Sequence, residues 1–367
     1  MSAPAASLDA DCAGLFCVGF HGTSPSAEVL EIVRRGAYGV ILFGRNLESA
    51  EQVAELSAAL KRAAGRPLLV SVDQEGGRVA RLRAPQGFTE LPPMRAVGAA
   101  GDEALAREVG ALLGRELRAA GIDQDYAPVV DVDTNPRNPV IGDRSLSRDP
   151  RAVARLGAAL MAGIQSQGVA ACAKHFPGHG DTLQDSHRDL PRLPHPLERL
   201  EAVELVPFRA LARAGVASVM TAHVVFEALD PRRPATLSAP VIRLLREWCG
   251  FRGCALSDDL EMKAVAEHFP LEEAVPASVA AGVDALLVCH QHEVQARAVD
   301  LLRRAVERGE VPRERLAEAR ARVAKLLEWA GPPPDPRRVR EALRTPAHLA
   351  LAARVPALGA AGEPTAS

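Results

Sequence analysis

Residues 174–187 read KHFPGHGDTLQDSH. This stretch holds Lys174, the histidines His175, His179 and His187, and the aspartates Asp181 and Asp185, directly after an apolar run at 168–173. Ionisable side chains at that density have no place in a core without partners, because an unpaired buried charge is costly. The pattern is that of a strand that ends and opens into a working loop. Similar polar clusters close other apolar runs. They are Asp73 in VDQEGGRV; Asp143 and Arg144 in NPRNPVIGDRS; His223 in MTAHV; Asp258 and Asp259 in LSDDLEM; and His290 and His292 after the last run. Such a set offers carboxylates that can attack or accept a proton. It also offers Lys, Arg and His donors that can hold hydroxyls through charge-assisted hydrogen bonds. Asp185 and His187 form an Asp-x-His pair within the loop. An imidazole with a pKa near ~6.5 can give and take back a proton near neutral pH, and a carboxylate two residues away can orient it. Plainer roles compete at each position. Asp73, Asp258 and Asp259 could cap helices, Arg144 could serve a surface ion pair, His223 could be a satisfied core residue, and Gly76-Gly77 could mark no more than a tight turn.

To gather these groups, the chain needs strands that end on one side. Eight short apolar runs qualify, at 15–20, 39–43, 67–72, 125–132, 169–173, 217–222, 253–256 and 285–289. Several are near-continuous Val, Ile, Leu and Ala, as in parallel strands covered on both faces. Amphipathic stretches lie between them. One, at 49–64, opens with Ser49 and has Gln52 three residues on, the signature of a capping box. Another, at 103–120, stops at Gly121, and a third follows the N-cap Asp149 and Pro150. Further helices are expected at 197–214, 239–248, 291–308 and 313–330. Eight strands alternating with helices predict a (β/α)8 TIM-type barrel, whose site collects at the C-terminal strand ends. Almost every run delivers its polar group at that end. A doubly wound sheet fits less well, because the first crossover, FHGTSPS, lacks a glycine-rich loop. We therefore expect one barrel domain over residues 1–330. The break GPPPDP then leads into a short C-terminal extension, 331–367, expected to be weakly ordered and dispensable for activity.

With 367 residues and a formal net charge of -2, the chain has no general attraction for nucleic acid or an anionic membrane. Its six cysteines include no C-x-x-C pair and mostly sit in apolar runs, as small buried thiols in a reducing compartment do. Residues 1–14 lack a basic segment followed by an apolar one, and no run of about eighteen apolar residues occurs. The expectation is a cytoplasmic protein with no membrane or nucleic-acid partner; the oligomeric state stays open, a monomer being favoured. No cofactor is expected, and no metal either, since Lys174 stands beside His175 where it would repel a cation.

In chain order, VDQEGGRV, NPVIGDRS, KHFPGHGDTLQDSH and SDDLEM resemble glycoside hydrolase family 3. More narrowly, they are similar to its single-domain β-N-acetylglucosaminidases of the NagZ type, over roughly residues 14–330. The resemblance implies a retaining enzyme with Asp258 as nucleophile and His187 as acid/base, partnered by Asp185. It implies sugar binding by Asp73, Arg81, Arg144, Lys174 and His175. A retaining glycosidase needs a carboxylate to attack the anomeric carbon and an acid to protonate the leaving oxygen; here a histidine takes the second role. The implied substrate is a terminal β-linked N-acetylglucosamine on cell-wall-derived saccharides or muropeptides, processed for peptidoglycan recycling. Three alternatives stay open. An N-acetylglucosaminide phosphorylase could use the same residues, because a histidine does not repel phosphate as a carboxylate would. A β-glucosidase of the family would draw its acid/base from a second domain. A sugar-binding barrel without catalysis would lack the nucleophile or the Asp–His pair.

Overall fold

The structure, a computed structural model, describes residues 7–183 and 190–355. Its eight main strands are β1 Phe16–Val18, β2 Gly39–Leu42, β3 Leu69–Val72, β4 Gln124–Asp125, β5 Ala170–Phe176, β6 Ser218–Thr221, β7 Cys254–Asp259 and β8 Ala285–Val288. Each pairs in parallel with its sequence neighbours, and β1 closes the ring on β8 by pairing Phe16 with Leu286 and Val18 with Val288. The expected (β/α)8 barrel is the fold observed. Strands such as Gly39–Leu42 and Leu69–Val72 are buried along their whole length, because one face fills the barrel and the other lies under the helices.

The helices follow their sequence signals with instructive exceptions. Ser49 Oγ accepts the Gln52 N–H at 3.2 Å at the start of the helix Ala50–Ala64. The second half of the expected box is displaced by one residue. Gln52 Oε1 takes the Glu48 N–H, and its Nε2 donates to the Thr23 carbonyl, tying the helix to the loop after β1. The helix Pro150–Gln165 starts at Asp149 and buries Val153, Leu156, Leu160 and Ile164. The stretch 197–214 is two helices, Leu197–Ala202 and Leu205–Arg213. Pro207 has no N–H to offer Val203, and its ring crowds that carbonyl. The helix Leu271–Ala281 contains Pro276, which masked it in the sequence. The fourth run forms a ladder only at Gln124–Asp125. Pro128 cannot donate to a neighbour, and residues 126–132 continue as buried irregular backbone with one isolated bridge, Val129 to Lys174. By contrast, β5 and β7 run further than expected, so Lys174, His175, Asp258 and Asp259 belong to the strands themselves.

At the opposite, N-terminal end of the barrel, buried ion clusters tie the strand starts to the surrounding helices. Asp123 accepts from Lys61 and Arg118, both at 2.8 Å, and from the Gly331 N–H at 2.8 Å. Asp284 is held by Arg246, Arg315 and Arg322. The extension, expected to be weakly ordered, is packed as far as it is described. Val339, Leu343 and Val355 are buried, and the helix Pro346–Arg354 is capped by Thr345. Its His348 Nδ1 lies 2.8 Å from Glu116 Oε1 on the helix Glu103–Ala119. The Arg344 N–H reaches the same oxygen, and Thr89 gives both its hydroxyl and its N–H to the Glu116 carboxylate. The sequence signal failed here because the anchors are single residues scattered through a proline-rich segment. Among the described residues, no helix is long and apolar enough to cross a membrane.

Candidate active site

Asp73 follows the last residue of β3 and opens a hairpin made of Gln74–Gly76 and Val79–Ala80. Gly77 turns the hairpin at φ 56°, and a Cβ there would lie 2.8 Å from Pro93 Cα. Only glycine meets both demands. Gln74 staples the hairpin, accepting from the Arg81 and Leu82 N–H groups and donating to the Leu82 carbonyl. The hairpin therefore carries Asp73, Glu75 and Arg81 as one unit.

Glu75 is the hub of a buried charge network. Arg144, in the short turn Gly142–Arg144, grips it with two parallel bonds of 2.8 Å. Lys174 Nζ lies 2.6 Å from Glu75 Oε1 and 2.7 Å from Asp73 Oδ1. Burial alone would raise the Glu75 pKa, but the Arg144 and Lys174 charges overrule it and hold the carboxyl well below the usual range. The same carboxylates push Lys174 up against its burial. The ammonium has three protons and places two on carboxylates, so one is left for a ligand. Arg81 Nη2 reaches Asp73 Oδ2 at 3.3 Å, while its buried Nε has no partner among the described residues. Asp73 retains lone pairs for two further donors.

His175 is oriented from behind. Asp131 accepts from its Nδ1 at 2.7 Å and from its backbone N–H. Asp131 also takes the His179 N–H at 2.7 Å. Despite burial, the nearby His175 keeps the Asp131 carboxyl below its ordinary pKa. That arrangement assigns the proton of His175 to Nδ1 and leaves Nε2 as the edge toward Arg144, 3.5 Å away. His179 is pushed down to about 4 by burial and the neighbouring His175. Its carbonyl is held by Asn138, whose Oδ1 also accepts the Val140 and Ile141 N–H groups. This side chain fixes the loop that presents Arg144.

At the end of β7 the two aspartates divide their tasks. Asp259 is engaged on every side: Oδ2 with His290 Nε2 at 3.1 Å, Oδ1 with the Cys289 and Glu261 N–H groups, and its carbonyl with His223 Nε2 at 2.9 Å. Asp258 accepts only the Asp259 N–H, at 2.8 Å, in the contacts described. Burial would raise its pKa, but His223, His175, that N–H and Lys174 together hold it below the ordinary aspartate value. It is therefore an ionised carboxylate exposed to a cavity. That cavity measures about 280 Å³ and is lined by Asp73, Arg81, Arg144, Lys174, His175 and Asp258, with Phe43, Met220 and Leu287 as apolar wall. Six of the eight residues singled out from the sequence thus share one cavity. The other two, Asp185 and His187, lie outside the described residues. Glu75 and Asp131 escaped the sequence reading as site residues, although Asp131 in VVDVD carries the same mark as Asp73, an acid closing an apolar run. Among the described residues no group of three His, Cys, Asp or Glu is placed to hold a metal ion.

A (β/α)8 barrel whose strand ends ring a small polar well with an ionised aspartate is an arrangement that a barrel glycosidase requires. Comparison with known proteins is specific. Residues 7–326 match the family described as "Glycosyl hydrolase family 3 N terminal domain", and the chain belongs to that family and is a glycosidase. It is 44% identical over 262 residues to a β-hexosaminidase of Thiobacillus denitrificans, covering 70% of this chain and 72% of that one. Among solved structures, a family 3 β-N-acetylglucosaminidase from Paenibacillus aligns with a TM-score of 0.90 at 42% identity, covering 96% of this chain and 68% of that one. NagZ from Neisseria gonorrhoeae aligns with a TM-score of 0.77 at 35% identity, over 93% and 96% of the two chains.

Proposed function

We propose that the protein is a retaining β-N-acetylglucosaminidase that removes terminal β-linked N-acetylglucosamine from cell-wall-derived saccharides or muropeptides in the cytoplasm. The observation that carries this reading is Asp258, an ionised carboxylate with no cation paired to it among the described residues, facing a cavity the size of one sugar ring. Relatives named β-hexosaminidase support the acetamido sugar. Asp73 accepts two sugar hydroxyls, and Arg81, Arg144, Lys174 and His175 surround the same ring. The third proton of Lys174 and the free Nε–H of Arg81 are the donors still available.

Asp258 attacks the anomeric carbon while the bond to the aglycone oxygen breaks. His187, as imidazolium, gives that oxygen its proton, and Asp185 holds the ring. The neutral imidazole then takes a proton from water, which attacks the glycosyl ester and frees Asp258. Two inversions return the original configuration. The test is release of nitrophenol from its β-N-acetylglucosaminide and its β-glucoside, by wild type and Asp258→Asn, with and without phosphate. Turnover of the acetamido sugar alone, lost in the variant and indifferent to phosphate, is the expected result. Preference for the glucoside, acceleration by phosphate, or retained activity in Asp258→Asn would each overturn a part of the reading.

A further inference from the structure

The connection between β5 and the helix Leu197–Ala202 leaves and returns through two stems tied to each other. On the outgoing stem, Gly180 packs where a Cβ would sit 1.8 Å from the Val132 carbonyl oxygen. Asp181 follows, with Oδ1 accepting from Thr134 Oγ1 at 2.9 Å and its carbonyl accepting from Asn135 Nδ2 at 3.2 Å. On the returning stem, Arg192–Leu193 pairs with Val225–Phe226, two residues beyond His223. His195 then points back across the gap, and its Nε2 lies 2.7 Å from Asp181 Oδ2. Side-chain exposure is 18% for His195 and 25% for Asp181, so the contact is shielded more than a surface pair. One hydrogen bond thus joins two points fourteen residues apart in the chain, and Thr134 fastens it to the barrel rim beside the loop that presents Arg144.

We infer that the Asp181–His195 clasp, anchored by Thr134, is a positioning element for the proton-transfer step. By fixing both ends of the connection that contains residues 184–189, it sets the region of space open to the Asp185–His187 pair. It does so without contacting the sugar pocket, since neither Asp181 nor His195 lines that cavity. The inference rests on the assignment of His187 as acid/base. Loosening the ends of a short connection enlarges the conformations its middle samples, and general acid catalysis depends on hydrogen-bond reach. Asp258 and Asp73 hang from other strands, and Lys174 and His175, although on β5 itself, are held by their own bonds to Asp73 and Asp131 ahead of the clasp, so loss of the clasp is expected to act more on protonation of the aglycone than on binding or nucleophilic attack.

The test uses the full chain with His195→Ala, His195→Gln and Asp181→Asn, and His187→Ala as the reference. kcat/KM is measured on nitrophenyl β-N-acetylglucosaminide, whose leaving group needs little protonation, and on an unactivated β-1,4-linked disaccharide of N-acetylglucosamine. His195→Ala is expected to lose about tenfold or more on the disaccharide and less than about threefold on the aryl glycoside, in the direction of His187→Ala but smaller. His195→Gln keeps an N–H for Asp181 and is expected to recover most of the disaccharide activity. A merely structural role would lower both substrates by the same factor and would show no rescue. Equal losses, or no loss in His195→Ala while His187→Ala shows the split, overturn the clasp. Absence of the split in His187→Ala itself overturns the acid/base assignment and the inference with it, and the reference variant separates the two failures.

Discussion

Substituting Glu75 by Gln removes one negative charge from between two buried cations. In the native site this carboxylate accepts two bonds from Arg144 and one from Lys174, and it is 2% exposed. Glutamine offers one acceptor oxygen in its place. Its amide NH2 would face Arg144 or Lys174, both of which can only donate. Removing one partner of a buried ion pair costs about 3–5 kcal/mol, because the remaining charge stays desolvated. With an unfolding entropy of about 2.1 cal/mol/K per residue over roughly 340 ordered residues, that loss lowers Tm by about 4–7 °C. The sign of the pH dependence is also fixed. The folded pKa of Glu75 is depressed, so its contribution is fully present above the unfolded value near ~4.3 and is lost as pH falls through the folded one. The Tm gap between wild type and Glu75→Gln is therefore expected to be flat from pH 8 to 5 and to narrow below about pH 4.3. Calorimetry across pH 3.5–8 reads it, with KM for the aryl glycoside measured in parallel and expected to rise as Lys174 and Arg144 lose alignment. A variant that melts with wild type and keeps its KM would refute the hub role of Glu75.

Other expectations are as direct. Asp258→Asn abolishes turnover while the melting temperature stays near that of wild type; residual activity above background would remove the nucleophile assignment. Because the Asp258 carboxyl is held below the ordinary aspartate value, its ionisation does not limit the rate between pH 5 and 8. Any limb of the kcat/KM profile in that range belongs to a histidine and should vanish in His187→Ala. Gly77→Ala forces a side chain into positive φ against Pro93 and should cost about 1 kcal/mol or more in stability. It should also raise KM, because Glu75 and Arg81 flank the turn. Truncation after Ala330 strips Asp123 of the Gly331 N–H and Glu116 of Arg344 and His348. Activity is expected from sequence to survive the truncation, but urea unfolding should show a loss of about 2–4 kcal/mol, and unchanged stability would argue that these contacts are idle.

The barrel was legible because its strands are apolar on both faces and almost every one closes in a polar group at one end. Asp73, Arg144, Lys174, His175 and Asp258 followed from that rule, and Arg81 from the family resemblance. What stayed hidden is instructive. Glu75 sits in a run of polar letters where only the fold distinguishes a buried carboxylate from a solvated one. The partner that makes it a hub, Arg144, is sixty-nine residues away, and nothing local links the two. Pairing between Asp259 and His290 has the same character, since it decides which of two adjacent aspartates is left to react. In the extension, His348 and Val339 carry no periodic signal, yet His348 meets Glu116 on a distant helix and Val339 is buried. Local pattern shows which residues end up together at a strand end. It does not show which of them neutralise one another.

The ion clusters on Asp123 and Asp284 have a consequence for traffic. Lys61, Arg118, Arg246, Arg315 and Arg322 tie the strand starts to the helices at the far end, the barrel interior is filled with side chains, and the well, among the described residues, opens at the C-terminal rim. Whatever enters must leave the way it came. Under the proposed retaining mechanism, the released aglycone would have to clear the opening before water could reach the glycosyl ester, and the freed monosaccharide would be the last to depart. In that reading a polymer would not thread through, each encounter would trim one terminal unit, and accumulated monosaccharide would compete for the same opening.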